Sequence, residues 1–176
     1  MGDILYLSSL GPRRGMIRGT RATAWYELGC ATEASDPQRA RSAYERALAG
    51  RPDFADAHNN LGRLLHAMHD DALARGEATT ESRALLRTAE AHYRLAICGD
   101  ARIALYWFNL AVSVEDQGRV AEAIAAYERA LALDQMFADA HFNLARIYES
   151  IGRARNDELV LRRAVRHLVR YRDLVA

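Results

Sequence analysis

His66 and His69 are separated by two residues and followed at once by Asp70 and Asp71. On a helix that spacing puts two imidazoles and a carboxylate on one face, which suits a divalent metal. A further ligand is not evident, and the same residues suit the polar tip of a helical hairpin. No metal site and no cofactor is therefore expected. His58 and His141 each stand three residues before a leucine, in a place that other parts of the chain fill with tryptophan. They read as packing residues. Cys30 has no base near it in sequence, and Cys30 and Cys98 read as reduced thiols inside helical patterns. No glycine-rich phosphate loop and no nucleophile elbow occurs. An enzyme is not expected. What does recur is a carboxamide: Asn60, Asn109 and Asn143 each directly precede a leucine. Such a group both donates and accepts, so a row of them can hold the backbone of an extended peptide whatever its sequence.

Half of the 176 residues are hydrophobic, yet mean hydropathy is slightly negative. The apolar residues must therefore be dispersed on helical faces. No apolar run reaches the roughly 18 residues of a membrane span. The first residues lack the basic-then-apolar order of a signal peptide, so a cytoplasmic protein with no membrane contact is expected. All 24 basic residues are arginine, and net charge is +1. Seven arginines lie between positions 153 and 172, with Tyr171 the one aromatic among them. Sparse aromatic interleaving favours the solvated face of a terminal helix over nucleic-acid binding.

Only three prolines occur, at 12, 37 and 52, so helix dominates from about residue 21 onward. Four segments share one pattern: Trp25-Tyr-Glu-Leu28-Gly29, His58-Asn-Asn-Leu61-Gly62, Trp107-Phe-Asn-Leu110-Ala111 and His141-Phe-Asn-Leu144-Ala145. A second pattern follows each: Ala40-x3-Tyr44-x2-Ala47, Ala89-x3-Tyr93-x2-Ala96, Ala123-x3-Tyr127-x2-Ala130 and, more weakly, Ala164-x3-Leu168-x2-Tyr171. A glycine or alanine on one helix lets a second helix approach, and the ring of the second fills the space beside it. Each hairpin buries only part of its apolar stripe, so the next hairpin must cover the rest. The expected fold is all-α, an α-α superhelical solenoid of four hairpins in about eight helices. Expected helices are 21–34, 37–49, 54–75, 80–98, 103–117, 120–133, 137–151 and 157–174. Gly152 is read as ending the seventh. Residues 1–20 form an arm expected to be poorly ordered. The domain at 21–176 divides into repeats at about 22–54, 55–103, 104–137 and 138–174. The second is lengthened: Leu61 to Ala89 is 28 residues where Leu110 to Ala123 is 13. The segment 67–88 should form two longer helices turning near Gly76.

These residues resemble the tetratricopeptide repeat family, whose signature is Trp-x2-Leu-Gly-x2-Tyr, then Ala-x3-Phe-x2-Ala, then Pro. The resemblance runs from about Ala22 to Tyr171. His58 and His141 depart from it in the Trp slot, Ala111 and Ala145 in the Gly slot, and Gln135 stands where Pro is usual. More loosely, Trp25-Tyr-Glu-Leu-Gly-Cys30, Asn60-Leu-Gly-Arg-Leu-Leu-His66 and Val114-Glu-Asp-Gln-Gly118 resemble the repeat region behind a winged helix-turn-helix in some bacterial MerR-type regulators. Twenty residues before the first repeat are too few for that DNA-binding module.

The resemblance implies a right-handed superhelix with a concave groove lined by the first helix of each hairpin. The groove residues are then Tyr26, Cys30, Asn59, Asn60, Arg63, Phe108, Asn109, Val112, Asp116, Phe142, Asn143 and Arg146. Asn60, Asn109 and Asn143 resemble the asparagine ladders of this family. In members that clamp the carboxylate of heat-shock chaperones, the slots correspond here to Tyr26, Cys30, Asn60, Leu105 and Asn109. Only Asn60 agrees, which argues against that partner. The expected function is a scaffold or adaptor that binds a peptide or partner protein in the groove. The alternative is a regulatory module contacting a DNA-binding partner or nucleic acid through the basic last helix. Acidic groups outnumber basic ones in the groove, among them Glu27, Glu33, Asp56, Glu115, Asp139 and Glu149, so a basic-aromatic ligand is expected. An apolar strip on the last helix, including Leu159, Val165 and Leu168, could be covered by a second copy in a two-fold homodimer.

Overall fold

The computed structural model describes residues 14–176, with side chains described from Arg21 onward. Within these residues the chain forms eight helices: α1 Arg14–Thr32, α2 Pro37–Gly50, α3 Ala55–Ala74, α4 Thr80–Gly99, α5 Ala104–Asp116, α6 Val120–Leu133, α7 Ala138–Arg155 and α8 Glu158–Val175. They pair as four hairpins stacked in chain order, α1 with α2 through α7 with α8. α1 starts seven residues before the expected position. Residues 1–13 of the arm expected to be poorly ordered lie outside the described residues.

The boundaries follow from caps. Asp36 accepts the Arg39 N–H at 3.0 Å, with Pro37 at the first helical position. Thr79 and Asp157 cap α4 and α8 in the same way. Gly76 and Gly118 close the turns after α3 and α5 with φ of 78° and 76°, a left-handed conformation that glycine adopts without cost. The lengthened second hairpin is seen directly: α3 and α4 each have 20 residues, against 13 and 14 in α5 and α6. Gly152 does not end α7 as expected. It lies buried inside the helix, and a Cβ there would come within 2.8 Å of the Leu161 side chain. Its role is the close approach of α8. α7 ends instead at Asn156, which takes φ 51° and lets the Asp157 N–H bond the Gly152 carbonyl at 2.9 Å.

The core is the interdigitation anticipated from the two sequence patterns. Tyr44, Tyr93 and Tyr127 are fully buried. A Cβ on Gly29 would fall 2.5 Å from the Tyr44 ring, and one on Gly62 would fall 2.8 Å from the Tyr93 ring. The small residue and the ring thus occupy one space. The Trp slot shows a second size exchange. Trp107 donates its indole N–H to the Ala101 carbonyl at 2.9 Å. His58 and His141 make the same bond to the carbonyl six residues upstream, at Pro52 and Gln135. At the matching sequence position of the second helix, the hairpins of Trp25 and Trp107 carry Ala43 and Ala126, whereas those of His58 and His141 carry His92 and His167, whose rings meet them.

Candidate binding groove

The first helices of successive hairpins, α1, α3, α5 and α7, lie side by side, and polar side chains tie each to the next. The asparagines make the longest of these ties. Asn109 Nδ2 donates to Asn59 Oδ1 at 2.8 Å, Asn59 Nδ2 to Asn60 Oδ1 at 3.3 Å, and Asn60 Nδ2 to the Tyr26 hydroxyl at 3.2 Å. One chain of hydrogen bonds therefore crosses α5, α3 and α1. Asn143 Nδ2 donates to the Tyr127 hydroxyl at 3.0 Å, and Tyr127 donates in turn to Glu115 at 2.9 Å.

This changes the reading of the asparagine column. It is not a row of free amides: the N–H groups are used inside the protein. Asn59 is buried, and a buried amide needs such partners. Among the described residues the Oδ1 atoms of Asn109 and Asn143 accept no hydrogen bond and remain open.

The other groove residues divide by environment. Tyr26 is half-buried, with its ring 4.8 Å from Phe54. Burial first, then the neighbouring Cys30, pushes its hydroxyl up to about 12. Cys30 is exposed, 3.5 Å from the Tyr44 hydroxyl and 3.6 Å from Asn60. Phe108 lies between the tilted rings of Phe137 at 4.7 Å and Tyr127 at 5.7 Å. Val112 packs on the core. Phe142, at the end of the row, stays exposed beside Tyr171. Arg63 pairs with Glu33 at 2.5 Å, and Arg146 pairs with Glu115.

His66 is separated from His69, which bonds the Ser82 carbonyl at 2.7 Å. His66 instead meets Asp116 at 2.8 Å. Together with Asp70 these offer three ligand atoms within 4.8 Å of one another. The direct His66–Asp116 bond already satisfies the buried imidazole and serves as another tie between α3 and α5.

The tyrosine hydroxyls were the part of this surface that sequence reading missed. Tyr44 and Tyr127 were read as packing rings, yet their hydroxyls reach the groove and donate to Glu33 and Glu115. Tyr106 likewise donates to Asp56 at 2.5 Å. The readable sign was tyrosine in a slot where phenylalanine would pack as well, since a buried hydroxyl needs a partner.

Two family models match the sequence, one described as a TPR repeat over residues 116–152 and one as a tetratricopeptide repeat over residues 31–78. No curated protein matches it. Among solved structures, a crystal structure of MamA aligns with a TM-score of 0.69 at 18% identity, covering 87% of this chain and 77% of that one. The TPR domain of Arabidopsis OM64 aligns at 0.64 and 16% identity, covering 76% and 98%. A monomeric mutant of IFIT1 aligns at 0.72 and 16% identity, covering 87% of this chain and 34% of that one. At such identities the likeness is one of fold.

Proposed function

Because the chain is built of tetratricopeptide repeats, we propose that it is a non-catalytic interaction scaffold which holds a peptide of a partner protein along α1, α3, α5 and α7. The observation that carries this is the run of bonds from Asn109 through Asn59 and Asn60 to Tyr26. It joins three helices into one preformed face, so ligand binding costs little ordering of the site. On that face Tyr26, Phe108 and Phe142 supply apolar contact. The open Oδ1 atoms of Asn109 and Asn143 can accept peptide N–H groups at repeat spacing. Among the described residues no helix is long and apolar enough to cross a membrane.

The test is a peptide-library screen on the whole chain, followed by the Asn143→Ala variant. Asn143 is chosen because Tyr127 keeps its bond to Glu115 when the amide is removed. Selected peptides should lose about tenfold in affinity, the worth of one peptide hydrogen bond of ~1–1.5 kcal/mol. Peptides that bind wild type and variant equally well would remove the asparagines from the account.

A further inference from the structure

The first and third junctions between hairpins are closed by one device. The buried tyrosine of the second helix donates to a glutamate five residues past the repeat leucine. An arginine of the next hairpin, two residues past its own leucine, pairs with that glutamate. Tyr44, Glu33 and Arg63 build it at the first junction, at 2.8 Å and 2.5 Å. Tyr127, Glu115 and Arg146 build it at the third. The middle junction departs from it. His66 stands in the glutamate slot and Val112 in the arginine slot. Tyr93 is only 1% exposed, yet its hydroxyl makes no hydrogen bond among the described residues.

What the middle junction holds instead is a set of donor atoms. Nε2 of the buried His66 lies 2.8 Å from Asp116 Oδ2 on α5 and 3.9 Å from Asp70 Oδ1, one turn along α3. Two ligands of one zinc-sized ion, each bonded at about 2.0–2.2 Å, stand at most about 4.4 Å apart, so both distances already fit. The three atoms all lie within 4.8 Å of one another. Both carboxylates are exposed and can close the remainder by side-chain rotation. Neither pairs with an arginine among the described residues. Tyr93 faces the same two groups: burial pushes its hydroxyl up, Arg63 opposes this, and Asp70 and Asp116 add to it. No metal site was expected from sequence because His66 and His69 lacked a further ligand. His69 is engaged by the Ser82 carbonyl, and the further ligand is Asp116, 50 residues beyond His66.

We propose that His66, Asp70 and Asp116 bind a divalent transition-metal ion of the zinc class, which supplies at the middle junction the positive charge that an arginine supplies at the first and third. One imidazole with two carboxylates selects zinc over magnesium, which prefers oxygen alone. The remaining position goes to water, which the Tyr93 hydroxyl can bond. The ion takes over from the direct His66–Asp116 hydrogen bond as the tie between α3 and α5. It needs no peptide in the groove.

Zinc titrated calorimetrically into the full chain should bind saturably, one ion per chain, and magnesium should not. Asp70→Asn and Asp116→Asn alter exposed residues and should leave the circular dichroism unchanged. Each should weaken zinc by about tenfold or more, since loss of an outer-shell partner alone costs about 10–100-fold. Asp71→Asn changes the neighbouring carboxylate outside the cluster and should leave zinc affinity as it is. Zinc should also raise the Tm of the wild type and not that of Asp116→Asn, because the ion binds only the folded junction. Four results overturn the proposal. One is no saturable zinc binding. Another is zinc binding that Asp70→Asn and Asp116→Asn leave intact, which places the ion on other histidines. A third is equal weakening by Asp71→Asn, which reduces the effect to diffuse attraction by exposed carboxylates. The last is equal binding of magnesium, which removes the imidazole from the site.

Discussion

The Nδ1 atoms of His58 and His92 lie 2.9 Å apart across the interface of α3 and α4, and those of His141 and His167 repeat the distance between α7 and α8. The carbonyls of Pro52 and Gln135 can only accept, so Nε2 of His58 and His141 must carry the proton. With these rings neutral their Nδ1 atoms are acceptors, and His92 and His167 donate from Nδ1. Each pair is thereby fixed in one tautomer without any charged group.

Exchange of the first pair for the residues of the third hairpin follows as a prediction. A tryptophan in place of His58 supplies the same N–H to the carbonyl, as Trp107 does, and an alanine in place of His92, the residue type that Ala126 supplies at that position of the third hairpin, makes room for it. His92→Ala alone leaves a void and an unpaired Nδ1, costing about 1–3 kcal/mol. The His58→Trp, His92→Ala double variant should recover most of that loss, with a coupling of at least ~0.5 kcal/mol between the sites. Urea midpoints of the two single variants and the double variant decide it. Additive losses would mean that the two positions do not share one space.

The same pairs make stability depend on pH. Burial, and then the neighbouring His58, push His92 down from 6.5 to about 4. His167 is lowered by burial and by His141. Glu45 and Arg41 act on His92 in opposite senses. A lowered histidine binds fewer protons folded than unfolded, so its stabilisation is complete above about 6.5 and is lost as pH falls toward about 4. Urea midpoints should therefore drop between about pH 7 and about pH 4.5. The His58→Trp, His92→Ala double variant should lose part of the drop, because the lowered imidazole of His92 is gone. An unchanged pH profile in that double variant would show that other groups carry the acid sensitivity.

The division between what was legible and what was not follows from the physics of each feature. Hairpin number, order and the lengthened second pair came from apolar spacing and small residues, because close packing of Tyr44 on Gly29 or Tyr93 on Gly62 admits only a small residue there. Gly152 was misread because a glycine can end a helix or admit a neighbour, and only the position of Leu161 distinguishes the two. The faces of Asn60, Asn109 and Asn143 were legible from their step beside the leucine. Their bonds were not, since Asn109 and Asn59 are 50 residues apart in sequence and meet only through the pitch of the stack. The His58–His92 and His141–His167 contacts were missed, although the sequence carries the matched exchange against tryptophan and alanine.

Asn109 should behave differently from Asn143, although sequence places them in the same slot. Removing the Asn109 amide leaves Oδ1 of Asn59, which is 3% exposed, with no donor. Asn109→Ala should then cost about 1–3 kcal/mol of stability, the penalty for an unpaired buried acceptor. Asn143→Ala should cost less than ~1 kcal/mol, since Tyr127 retains its bond to Glu115. Thermal melts of the two variants side by side measure the contrast. Equal melting would mean that the Asn109–Asn59 bond adds nothing to the joint between α5 and α3.

The sign of the groove ligand is the last prediction, and the ion pairs now refine it. Glu33 is matched by Arg63, Glu115 by Arg146 and Glu149 by Arg153. Arg102 pairs with Asp100, off the groove. These pairs leave four groove carboxylates without an arginine. Asp56 accepts a hydroxyl hydrogen bond from Tyr106, which does not cancel its charge. Asp116 faces His66, and Glu27 and Asp139 have no ion pair among the described residues. The surplus is thus smaller than a bare count suggests but keeps its sign, and it borders Tyr26, Phe108 and Phe142. A basic-aromatic peptide should bind more tightly than an acidic-aromatic peptide matched in length. The difference should shrink as salt rises, because these carboxylates are open to solvent and exposed charge is screened beyond about 10 Å at 0.1 M salt. Titrating both peptides at about 0.02 M and about 0.3 M salt makes the comparison, with one condition on either side of that value. Preference for the acidic peptide, or a preference for the basic one that salt leaves untouched, would show that the unpaired carboxylates do not choose the ligand.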